Sequence, residues 1–267
     1  MKRGRLLRFP ADDRTMMRRL RPVLWSLVAL MTASFAVDTC AAADIVKKPI
    51  VVDQRDRDYY LYVPDRQTAL PPLLVLLHGS GQDGLYMADL WKGTAEREGI
   101  VLVAPNALRN DAWRLKEDGP QFIAAVIAAA QSDHPSDPHR VYLFGQSGGA
   151  VYALLLGMLE SDFFAGVSVH AGAWRHDNEF NAIHYAGRRI PVQIILGDQD
   201  EFFPVSAARR TENQLRDAGF PVDLKVIEGQ HHWYTADTAP AINDMAVAFL
   251  TQQRLAANPV FRLYKEP

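Results

Sequence analysis

Val141-Tyr142-Leu143-Phe144-Gly145-Gln146-Ser147-Gly148-Gly149-Ala150 is an apolar, aromatic-rich run, then Gly-x-Ser-x-Gly, then the opening of a helical stretch. The pattern reads as a strand that turns sharply into a helix with a serine at the bend. A serine hydroxyl is a useful nucleophile only when it is lifted clear of the sheet, beside a base and beside amide donors for a developing oxyanion. Such a bend provides that setting. Gly145 and Gly149 flank the serine because a Cβ at either position would meet the neighbouring strand or helix. The plainer alternative is a glycine-rich turn whose serine caps the helix Gly148–Leu159. The surrounding chain decides between the two.

Upstream, Tyr60 and Tyr62 alternate with Leu61 and Val63 and predict an early strand. Leu73–Leu77, after Pro71-Pro72, is a continuous apolar run of the kind found in a central strand buried on both faces. A helix over 87–97, a strand over 100–104, a loop through Trp113 and an apolar helix over 121–131 follow, and Asp137-Pro138 punctuates the approach to the elbow strand. Downstream the pattern predicts strand Gly166–His170, a loop with Trp174, strand 192–196, helix 206–218, strand 224–227 and a last helix over 241–254. Strands alternate with helices throughout. That predicts an α/β fold: a mostly parallel central sheet with helices on both faces, and a site built from loops at the carboxyl ends of the strands.

Two of those loops carry polar candidates. After strand 192–196 comes Gly197-Asp198-Gln199-Asp200-Glu201-Phe202-Phe203-Pro204, and after strand 224–227 comes Glu228-Gly229-Gln230-His231-His232-Trp233. The chain order Ser, Asp, His is that of the α/β-hydrolase triad, and the three loops leave the same edge of the sheet. Asp198 sits closer to its strand, where it could equally serve as a turn residue, so Asp200 is favoured as the acid. His231 and His232 are adjacent, and only one of them can face the serine in a given loop conformation.

The chain has 267 residues, 48% hydrophobic and 22% charged, which fits one globular domain with a full core. Residues 1–43 differ in kind: arginines up to Arg21, an apolar run over 23–37, then Ala41-Ala42-Ala43. This reads as a signal peptide cleaved after Ala43, leaving a catalytic domain over 44–267 that is secreted or periplasmic and has no stable membrane insertion. Cys40 is the one cysteine, so the mature domain has neither a disulfide nor a thiol nucleophile. Removing residues 1–43 takes away eight of 29 basic and three of 31 acidic side chains, leaving 21 and 28 and a formal charge of −7. An acidic exported domain without a basic cluster is a poor partner for nucleic acid.

Leu76-Leu77-His78-Gly79-Ser80-Gly81-Gln82, His139-Arg140-Val141-Tyr142, the elbow, and Gly229-Gln230-His231-His232-Trp233 together resemble the exported polyhydroxybutyrate depolymerase and feruloyl esterase-like group of α/β-hydrolases. The resemblance covers about residues 71–250. It implies that His78-Gly79-Ser80 leads into the oxyanion loop. It also implies that the acid of a Gly-x-x-Asp turn is Asp200, and that the histidine of a Gly-His-x-Trp pattern is His231, with Trp233 two positions on. Departures fall at Asp118-Gly119-Pro120, where the group often has an additional acid, and at Gln230, where a glycine usually precedes the histidine.

The implied enzyme is a serine esterase in which Ser147 attacks an ester, His231 is the base, Asp200 orients it, and the amides of Ser80 and Gly148 hold the oxyanion. No cofactor and no metal are called for. The substrate is a small-molecule or oligomeric ester, and Trp113, His170, Trp174 and Trp233 are candidates to wall its pocket. Phe202-Phe203 reads as packing at the start of the next helix, and His78 as an organiser of the oxyanion loop. A serine peptidase of the same fold, or a binding protein that keeps the fold without turnover, are the alternatives.

Overall fold

Leu73–Leu77 is wholly buried, and its side chains divide between two apolar layers: Leu73, Val75 and Leu77 face one, Leu74 and Leu76 the other. A strand dressed this way must lie mid-sheet with helices above and below. The computed structural model describes residues 44–264 and shows that arrangement. In chain order the elements are β1 (Val46–Val52), β2 (Arg55–Tyr62), β3 (Leu73–Leu77), α1 (Gly84–Glu98), β4 (Val101–Pro105), α2 (Leu115–Asp118), α3 (Pro120–Asp133), β5 (Val141–Gln146), α4 (Gly148–Leu159), β6 (Gly166–His170), a 3-10 segment (Asp177–Tyr185), β7 (Val192–Gly197), α5 (Val205–Asp217), β8 (Val222–Ile227) and α6 (Ala239–Leu250).

The sheet has eight strands in the order β1-β2-β4-β3-β5-β6-β7-β8. β1 and β2 form an antiparallel hairpin that joins β4, and from β4 through β8 all pairings are parallel. Helices α3, α4 and α5 cover one face through Phe122, Val126, Leu154, Met158, Ala208 and Leu215. Helices α1 and α6 cover the other through Met87, Trp91, Ile242 and Ala246. Helix α4 is apolar almost all round, as a helix buried between sheet and loops should be.

The mostly parallel sheet flanked by helices is the fold expected from the alternating pattern. Two differences stand out. Strand β1 was not foreseen, because Lys47, Lys48 and Pro49 interrupt its alternation and its turn, Asp53-Gln54, lacks glycine although both residues adopt positive φ of 50° and 61°. The last helix stops at Leu250 and not at 254. Beyond it the side chains of Thr251, Gln252 and Gln253 donate back to the carbonyls of Val247, Ala248 and Phe249 and finish its last turn. The expected signal segment, with Cys40 inside it, lies outside the described residues. Among the described residues, no helix is long and apolar enough to cross a membrane.

Candidate active site

Ser147 sits between β5 and α4 with φ 53° and ψ −118°, a conformation that non-glycine residues rarely adopt. The fold holds it there from both sides. Its N–H donates to the His170 carbonyl at 3.0 Å, and its own carbonyl accepts the Ala150 N–H at 2.9 Å. A Cβ on Gly145 would collide with the carbonyl of Gly149, and one on Gly149 would collide with the carbonyl of Leu77, so the bend closes only with glycine at both places.

Ser147 Oγ–H donates to His232 Nε2 at 2.9 Å, and His232 Nδ1–H donates to Asp200 Oδ2 at 2.9 Å. The side chain of His232 is 7% exposed and that of Asp200 fully buried. Burial pulls the Asp200 carboxyl upward, but hydrogen bonds from His232 and from the amides of Phe203 and Phe202 outweigh it and hold the group below its ordinary value. The imidazole contacts the Phe202 ring at 4.7 Å and the Phe203 ring at 5.9 Å, nearly parallel to the latter.

This corrects the choice of His231. That side chain is 61% exposed, and its Nδ1 meets Glu201 Oε1 at 2.9 Å on the outside of the loops. In this loop the Gln230 carbonyl accepts the Gln199 N–H at 3.0 Å and Gln230 packs over Gly197; His231 then faces outward and His232 inward. Asp198 also has a definite place, accepting the Gly229 N–H at 2.7 Å and so tying the acid loop to the histidine loop.

Ser80 and Gly148 line the same cleft as Ser147, and an ideal Cβ on Gly148 would lie 3.5 Å from the Ser80 nitrogen. The Ser80 N–H donates to no group among the described residues. Gly148 opens α4, so its N–H is one of those a helix leaves without an internal acceptor. The loop carrying Ser80 is organised by buried His78, whose Nδ1–H donates to the Gly79 carbonyl at 2.8 Å while Nε2 accepts the Ala107 N–H at 3.1 Å. Burial lowers the His78 pKa and favours this neutral form.

The cleft, about 450 Å³, opens past Phe202 and Trp233, which are 52% and 58% exposed. Beyond Gly148 and Val151 it meets an inner pocket of about 160 Å³ walled by Trp113, Tyr152, Trp174, Leu115 and Leu155. Trp113 and Tyr152 stack at 5.4 Å, and Trp113 Nε1–H donates to the His78 carbonyl at 2.8 Å. His170 does not wall either space: it is fully buried at the end of β6, packed 5.3 Å from Tyr234. Strand alternation turns its side chain away from the pocket face. Phe203 packs in the core with Ala208 and Leu215 of α5, as expected, and also lies against the imidazole, whereas Phe202 is half exposed beside it. Sequence reasoning missed Glu179 and Tyr152 as lining residues, since they stand on a 3-10 segment and a helix with no motif to mark them.

Asp118 is the acid retained in the departure noted above. It is wholly buried and accepts Arg57 at 2.7 Å, the Leu108 N–H at 2.8 Å and the Arg114 N–H at 2.9 Å, bracing the loop that carries Trp113.

Fold and site together define an α/β-hydrolase. The chain belongs to the dienelactone hydrolase family, whose model matches residues 87–257. Among curated proteins, it is 30% identical over 138 residues to a poly(3-hydroxybutyrate) depolymerase of Ralstonia pickettii, covering 42% of this chain and 28% of that one. It is 28% identical over 146 residues to feruloyl esterase B of Talaromyces funiculosus, covering 50% and 40%. The matches thus span between 22% and 51% of the curated relatives' own length. A solved poly(3-hydroxybutyrate) depolymerase from Bordetella parapertussis has the same fold, with TM-score 0.62 at 19% identity over 79% of this chain and 91% of that one.

Proposed function

We propose that the chain is an exported serine esterase that acts through an acyl-enzyme. Ser147 Oγ attacks the ester carbonyl while His232 Nε2 takes its proton, and Asp200 fixes the imidazole tautomer and stabilises the imidazolium. The amides of Ser80 and Gly148 receive the oxyanion, and the alcohol leaves with the proton carried by His232. Water then repeats the sequence on the acyl-enzyme and releases the acid. The observation that carries this reading is the hydrogen-bonded chain Ser147–His232–Asp200, closed at 2.9 Å at both links around a buried carboxylate.

An aromatic inner pocket beside Gly148 suits the acyl group, and the open cleft suits the leaving alcohol. Short hydroxyalkanoate and feruloyl-type esters are the classes we infer, by analogy with relatives named poly(3-hydroxybutyrate) depolymerase and feruloyl esterase. Residues 1–43 serve as the export signal in this reading, so the exported protein should begin at Asp44 by mass spectrometry. A fluorophosphonate probe should label Ser147, and labelling should vanish in Ser147→Ala. A folded protein that takes no label, or one that cleaves peptide amides and ignores esters, would overturn the reading.

A further inference from the structure

The 3-10 segment Asp177–Tyr185 brings a carboxylate to the junction of cleft and inner pocket, for Glu179 lines both. Its Oε2 accepts the N–H groups of Arg175 at 2.6 Å and His176 at 2.7 Å, closing the start of the segment. Capping uses only that oxygen. Oε1 receives no hydrogen bond from any described residue. The neighbouring Arg175 also lines the cleft but forms no ion pair with Glu179: its guanidinium donates to the Phe202 carbonyl at 3.2 Å and lies 4.6 Å over the Phe203 ring.

A carboxylate anchored by two amides, on a residue that lines an apolar pocket and with its second oxygen unbonded among the described residues, is complementary to a neutral hydrogen-bond donor. It repels a carboxylate and gains nothing from a methyl group. We propose that Glu179 is a specificity-determining residue that accepts a hydrogen bond from a hydroxyl on the acyl part of the ester, so that hydroxylated acyl groups are selected over their deoxy analogues. This rests on the esterase reading above. The acyl side is assigned because the smaller aromatic pocket begins at Gly148, beside the proposed oxyanion donors, whereas the larger cleft by Phe202 and Trp233 is left for the alcohol. The hydroxyl is the shared chemistry, and its carrier is either an aliphatic chain or an aromatic ring.

Two ester pairs distinguish the carriers: p-nitrophenyl 3-hydroxybutyrate against p-nitrophenyl butyrate, and methyl 4-hydroxycinnamate against methyl cinnamate. In the native protein, kcat/KM should favour the hydroxylated member of at least one pair by about tenfold or more, the scale of a hydrogen bond to a charged group. Glu179→Gln keeps an oxygen for the two backbone donors but replaces the free acceptor with an amide donor, and the preference should fall to within about threefold. A variant-free measurement completes the test: p-nitrophenyl hemisuccinate should be turned over about tenfold more slowly than the butyrate, through repulsion between carboxylates. Ratios near one in both pairs, a preference that survives Glu179→Gln, or equal use of the hemisuccinate would overturn the assignment while leaving the esterase reading intact. Failure to turn over any of these esters, with Ser147 unlabelled by fluorophosphonate, would remove the esterase reading and this inference with it.

Discussion

His231 and His232 show how one position decides a role. They share a loop and a residue type, yet His232 is buried beside Phe202 and Phe203 while His231 stands in solvent against Glu201. His232→Ala should lower p-nitrophenyl ester turnover by a factor on the order of 10³ or more, because the serine loses its base. His231→Ala should cost less than about tenfold, since an exposed pair such as His231–Glu201 contributes little. Equal losses in the two variants would reject the assignment. Asp200→Asn should likewise cost orders of magnitude more than Asp198→Asn, whose side-chain oxygen can still accept the Gly229 N–H. The serine and the two loops are legible because each follows a strand end, whereas Asp200 is favoured over the nearer Asp198 by the turn argument and by the resemblance. Between the consecutive histidines the resemblance selects His231, whereas the folded loop sets His232 against the serine and His231 in solvent. The available signal was the doubling itself: Asp200-Glu201 facing His231-His232 makes two acid–base pairs, one inside and one out.

Elements were legible where hydrophobic period and burial agree, as in β3, β5 and α4, and illegible where they do not, as in the Lys- and Pro-bearing edge strand β1. The 3-10 segment that carries Glu179 is a similar case, because its place over the site comes from loop packing and not from periodicity. The strand–elbow–helix unit makes the strictest demand. Gly149→Ala places a methyl group against the Leu77 carbonyl, part of the β3 backbone, which no side-chain rotation can relieve. The expected result is a loss of about 3 kcal/mol or more in urea unfolding, at the upper end for overpacked sites. Gly93→Ala, on α1 with open space around it, should by contrast be neutral or stabilising. Comparable destabilisation in both variants would contradict the close-approach argument.

Across the whole molecule, buried charge and buried neutral imidazole are used differently. Arg57 and Asp118 meet in the interior at 2.7 Å, and Arg57 also reaches the carbonyls of Asn106 and Glu117 and lies 3.6 Å over Phe122, so hairpin β1–β2 and the Trp113 loop are fastened together. Arg57→Met strands the Asp118 charge, and a loss of about 3–5 kcal/mol is expected by denaturant titration. His170 carries the opposite burden. Both its ring nitrogens are buried without a partner among the described residues, and burial, assisted by nearby His232, lowers its pKa from 6.5 to about 3. The folded protein therefore holds His170 neutral while the unfolded chain takes up a proton below pH 6.5. Stability from this group is complete above that pH and declines as pH falls toward about 3, by about 1.4 kcal/mol per pH unit. His78, also lowered by burial, acts in the same direction, so the decline is steeper than one group would give. His170→Phe removes the titration while keeping a ring against Tyr234, and should flatten the dependence by about one group's share between pH 6 and pH 4.5. Urea midpoints at three pH values in that window measure it directly, and identical slopes for the native and variant proteins would show that His170 does not bear the charge cost assigned to it.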